Sequence, residues 1–134
     1  MWITRNCVFL LTSQLAALLV PNQMWAQEDT TAKRLLSSEA SIKGFVGGES
    51  HNGYVIHAAK GQAITVRLSF QPAANHAEFT VSESANFFDG TSVAFGKTTH
   101  KGSRWSGIAP TTRDYYVYVV AHPEAHYVLR FEAR

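Results

Sequence analysis

The chain has a single cysteine, Cys7, in 134 residues. One thiol builds neither a disulfide framework nor a zinc–thiolate site, so stability must come from core packing. Charge of one sign is also lacking: 12 basic residues face 10 acidic ones. A balance this even lacks the basic field that a nucleic-acid partner requires. No apolar run reaches the roughly 20 residues of a membrane span. No segment beyond the first 26 residues sustains a helical period. No G-x-S-x-G elbow is present to hold a serine nucleophile. Gly96-Lys97-Thr98 resembles a phosphate loop, but position 91, where that loop needs its first glycine, is Thr91. No N-x-[ST] sequon occurs, which fits a bacterial export route.

What is present begins with the N-terminus. Met1–Asn6 carries one positive charge, Arg5, Cys7–Val20 is a compact apolar run, and Pro21–Ala26 ends in a small residue before Gln27-Glu28-Asp29. That order predicts a signal peptide over residues 1–26, cut after Ala26, and a single domain over 27–134 that is periplasmic or secreted. Cys7 would leave with the leader, and no cysteine follows to carry a lipid, so no membrane anchor is expected.

From Ser41 onward the pattern has period two. Ile64, Val66, Leu68 and Phe70 alternate with Ala63, Thr65, Arg67 and Ser69, which predicts a half-buried strand. Tyr54–Ala58 predicts a second strand, joined to the first as a hairpin through Ala59-Lys60-Gly61-Gln62. Glu78–Ser84, Ser92–Lys97 and Ser103–Gly107 are further strand candidates, with turns at Asp89-Gly90 and Lys101-Gly102. Asp114–Ala121 is the richest in β-branched and aromatic residues, and His126–Ala133 alternates Tyr127, Leu129 and Phe131 with polar positions. Thr30–Ser41 reads equally as an edge strand or a frayed helical turn. The expected fold is all-β: an antiparallel, jelly-roll-like β-sandwich of about eight strands.

Several segments carry a resemblance: Ser41–Gly44, Tyr54–Val66 with its Lys60-Gly61-Gln62 turn, Gly102–Gly107, Asp114–Val119 and Tyr127–Leu129. Together they resemble the bacterial periplasmic inhibitors of g-type lysozyme, and also the bacterial pre-peptidase C-terminal β-sandwich domain. The first resemblance implies a non-catalytic protein whose loops plug the cleft of a lysozyme or another cell-wall hydrolase. The second implies a carbohydrate-binding or accessory module whose partner is a glycan.

The chemistry-bearing residues point the same way. Glu49, Glu78, Glu83, Asp89, Asp114 and Glu124 are scattered without a pairing signal, so no enzyme is expected. Asp114, at the start of a strand, reads as a cap for backbone N–H groups. His122 and His126 have H-x3-H spacing, but Pro123 between them bars a helix, so neither a metal nor another cofactor is expected. If Tyr115, Val117 and Val119 face the core, Tyr116 and Tyr118 form an outward aromatic stripe suited to a partner, unless a loop covers it. The expected partner-binding set is Tyr116, Tyr118, His51, His122, His126 and Arg104. Protonated imidazoles would face the acidic cleft of a glycoside hydrolase, so binding should tighten as the pH falls toward about 6.

Overall fold

The computed structural model describes residues 32–134, and the expected leader at 1–26 lies outside the described residues. Among the described residues nine strands form two sheets: β1 (Lys33–Leu35), β2 (Glu39–Gly47), β3 (Asn52–Ala58), β4 (Ala63–Gln71), β5 (His76–Ser82), β6 (Lys97–Thr99), β7 (Arg104–Ile108), β8 (Arg113–His122) and β9 (Glu124–Ala133). One sheet has the order β1-β3-β8-β5 and the other β2-β9-β4-β7-β6. Every pairing is antiparallel except β1 with β3. The result is the all-β sandwich that the period-two pattern predicts.

Alternation along each strand decides what the sandwich encloses. Ile64, Val66 and Leu68 of β4 and Tyr127, Leu129 and Phe131 of β9 are buried from one sheet. Tyr54, Ile56 and Ala58 of β3 and Tyr115, Val117 and Val119 of β8 meet them from the other. Each large apolar side chain removed from water contributes about 1.5–3 kcal/mol. Trp105 of β7 completes this core with Phe95 packed edge-on at 5.5 Å.

The expected β3–β4 hairpin does not form. The turn at Gly61, with φ of +91°, carries the chain from one sheet to the other, and β3 pairs instead with β8 while β4 pairs with β7 and β9. Two strands each buried on one face pack those faces together, and an arch between sheets does this where a hairpin cannot. Crossing of this kind between successive strands gives the jelly-roll-like order. The Ser92–Lys97 candidate is also corrected. Only Lys97–Thr99 is strand, because the Val93 N–H donates a single backbone bond to the Val81 carbonyl (2.9 Å) and Phe95 then packs inward against Trp105. Thr30–Ser41 resolves into β1 and the start of β2 over its described residues.

One polar group of contacts sits inside the core. Asn52 Nδ2 donates to Tyr127 Oη at 2.8 Å and to the Phe45 carbonyl at 2.9 Å, and the Tyr54 and Tyr127 hydroxyls lie 2.5 Å apart. Burial, then the Tyr127 hydroxyl, pushes the Tyr54 phenol above its usual range. Gly44 makes room for this network: a Cβ there would stand 2.4 Å from the Tyr127 ring.

Candidate functional site

One end of the sandwich gathers the turns β2–β3, β4–β5 and β8–β9. The backbone N–H of Gly48 donates to the Pro123 carbonyl (3.1 Å), and Asn75 Nδ2 donates to the Glu124 carbonyl (2.8 Å). The three turns are therefore joined into one rim. Beneath it lies the Asn52–Tyr54–Tyr127 network, which also holds the Phe45 carbonyl. A turn tied at both flank and base loses little freedom on binding, which favours docking into a cleft.

The rim is rich in aromatic and imidazole rings. Phe45, 50 % exposed, lies 4.8 Å from the His126 ring. His122 stands opposite His76 in the β5–β8 register, and His76 Nε2 is 3.4 Å from Glu78 Oε2. His51 stacks on Phe87 at 4.1 Å, and Phe88 beside it is 77 % exposed. Four histidines thus share one end, yet among the described residues no three His, Cys, Asp or Glu side chains gather to hold a metal ion.

The outward tyrosine stripe is covered by the segment that follows β5, the alternative that the sequence left open. Residues 83–91 fold back over the outer face of the four-stranded sheet. Tyr118 Oη donates to the Ser84 carbonyl (2.7 Å), and Phe87 meets the Tyr118 ring edge-on at 5.4 Å. Tyr118 is only 3 % exposed, and burial raises its phenol pKa. Tyr116 is half-buried and lies parallel to Tyr118 with ring centroids 6.2 Å apart. The covering segment is a single 3-10 turn, Phe87–Asp89, capped by Asn86 Oδ1, which accepts from the Phe88 N–H at 3.0 Å. Its sequence signal is Asn86-Phe87-Phe88-Asp89-Gly90, a capped turn with two adjacent phenylalanines, of which Phe87 is half-buried.

Asp114 is likewise not a turn cap. It lies within β8, where both carboxylate oxygens accept from Arg34 (2.7 and 3.1 Å) and Oδ1 is 3.0 Å from His57 Nδ1. The Arg34 hydrogen bonds, then the one from His57, lower its pKa to about 2. This cluster depends on the parallel β1–β3 pairing, which sets Arg34 beside Val55 in a row that reaches β8.

The six expected contact residues therefore do not form one site. His51 and Tyr118 pack together under the covering segment, with Tyr116 beside them. His122 and His126 flank the β8–β9 turn at the rim. Arg104 is on the outer face of the other sheet, directly opposite Arg67. Phe45 and Phe88, which the sequence reading passed over, are exposed phenyl rings at this end.

No protein-family model matches the chain, and no curated protein matches it by sequence. Solved structures do match. One is a crystal structure of Aeromonas hydrophila PliG, a periplasmic inhibitor of g-type lysozyme, at 21 % identity and a TM-score of 0.62, covering 78 % of this chain and 96 % of that one. Another is PliG from Salmonella Typhimurium, also a periplasmic inhibitor of g-type lysozyme, at 16 % identity and a TM-score of 0.53, covering 78 % of this chain and 99 % of that one. The chain thus shares the fold of these inhibitors over nearly their whole length. Among its described residues no helix is long and apolar enough to cross a membrane.

Proposed function

We propose that this chain is a non-catalytic, periplasmic protein that inhibits a g-type lysozyme by placing its turn rim in the enzyme's cleft. The observation that carries this reading is the match in fold to two periplasmic inhibitors of that lysozyme class, spanning 96 % and 99 % of their lengths. The rim supports it physically. Its turns are tied by hydrogen bonds, Phe45 and Phe88 offer apolar anchors, and His122 and His126 offer N–H donors to the carboxylates that cleave glycosides. A glycan-binding role needs coplanar aromatic rings open to a shallow groove; Tyr116 and Tyr118 are stacked in parallel planes, and the 83–91 segment covers Tyr118.

The test is turnover of goose-, chicken- and invertebrate-type lysozymes with increasing amounts of the protein. Inhibition of the goose type is expected, with a loss of about 2 kcal/mol of binding on Phe88→Ala if that ring is an anchor. Gly44→Ala should weaken inhibition indirectly, by displacing Tyr127 under the rim. Full turnover of all three lysozymes at saturating protein would rule the reading out.

A further inference from the structure

The outer face of the five-stranded sheet carries a second site, remote from the 83–91 segment. In the strand registers Arg130 of β9 stands opposite Arg67 of β4, and Arg67 stands opposite Arg104 of β7. Three guanidinium side chains therefore occupy one row across three neighbouring strands, about 4.8 Å apart at the backbone. Like charges directly opposite one another destabilise a sheet. Among the described residues none of the three takes part in an ion pair or a side-chain hydrogen bond, although Arg34, Arg113 and Arg134 all have carboxylate partners. Arg104 is in addition half-buried.

The row borders a depression of about 400 Å³ that is walled by all three arginines together with Ser69, His100 and Ser103. No carboxylate lines it. Arg67 and Arg130 also border a neighbouring depression on the same face, which has Glu39 and Glu132 in its wall, although neither carboxylate forms an ion pair with them. The β6–β7 turn forms one side of the first depression. Ser103 is held there by bonds from its N–H and its hydroxyl to the His100 carbonyl (3.2 and 2.8 Å). His100 Nδ1 lies 3.1 Å from Thr99 Oγ1, which leaves Nε2 for another partner.

We infer that this depression binds a phosphate group, either free or as a phosphomonoester. Guanidinium forks match phosphate oxygens in pairs, and a dianion between neighbouring arginines relieves their mutual repulsion. The hydroxyl of Ser69 adds a neutral donor. No Phe, Tyr or Trp lines the depression, whose wall is mostly guanidinium and hydroxyl groups. Recognition there is of the anion itself.

The test is a titration of the purified protein with inorganic phosphate and, separately, glucose 1-phosphate, followed by backbone amide shifts at constant ionic strength, with citrate as a carboxylate control. Saturable shifts centred on Arg67, Ser69, Arg104 and Arg130 are expected, and the tighter ligand of the two identifies the source. Arg67→Gln should weaken binding about tenfold or more, and Arg67→Lys should restore part of it, because the charge remains while the fork is lost. Thermal melting of both variants at or above the parent temperature shows that the fold is kept. The inference fails if the shifts never saturate, if citrate binds as tightly as phosphate, or if the folded Arg67→Gln protein binds as the parent does.

Discussion

On the outer face of the four-stranded sheet, Arg34 is paired with Asp114, and Tyr118 is sealed under a capped turn. On the outer face of the five-stranded sheet, Arg130, Arg67 and Arg104 stand in register without a paired carboxylate among the described residues, and only short turns border them. Both faces belong to one sandwich, with one core between them. The difference teaches that an outward strand position is not a single environment. A face that receives a folded-back segment becomes a small second core, whereas a face left open keeps whatever charge its strands carry. Stability is expected to depend on the first face and anion binding on the second.

The largest effect that would break this comparison is at Tyr118. If the covering segment makes a true second core, Tyr118→Ala should cost about 3–5 kcal/mol in urea denaturation, close to the loss of a core aromatic residue. A change within about 0.5 kcal/mol would return Tyr118 to the exposed class. Leu68→Ala, in the core common to both sheets, calibrates the scale at about 2–5 kcal/mol by the same measurement. Its neighbour Arg67, on the open face, should change stability by no more than about 0.5 kcal/mol on conversion to Gln, and toward stabilisation, since a like-charge pair is relieved.

Acid titration sharpens the contrast. The folded Asp114 carboxyl is lowered from 3.8 to about 2, first by the Arg34 hydrogen bonds. A depressed carboxylate contributes stability that is present above pH 3.8 and is lost as the pH falls through about 2. Asp114→Asn should therefore be less stable than the parent at neutral pH, and the two melting curves should converge below about pH 2. The gap should be small, because the pair is partly exposed. A gap that is constant with pH would mean that Asp114 acts through packing and not through its charge.

The comparison also explains what was legible in the sequence. Inward positions were readable because alternation has period two and one face must be apolar: Ile64, Val66 and Leu68, or Tyr127, Leu129 and Phe131, name their own side of the sheet. Turn positions were readable where glycine takes a left-handed backbone, as at Gly61, Gly90 and Gly102. The outward direction of Tyr118 was readable and its cover was not, because alternation says which face a residue takes and not what lies over that face. Arg104 was singled out, but its row with Arg67 and Arg130 joins positions far apart in the chain, and only pairing through β4 aligns them.

The sequence by itself determined an all-β chain with one core, the residues that enter that core and the places where the chain turns, because these follow from local side-chain periodicity and backbone preference. Only the tertiary structure decided that β3 and β4 part into different sheets, that residues 83–91 cover Tyr118, that Arg34 and His57 meet at Asp114, and that three arginines share one row. Each of these depends on which strands become neighbours. Neighbour choice is set by the packing of two whole sheets against each other, a property that no single segment carries.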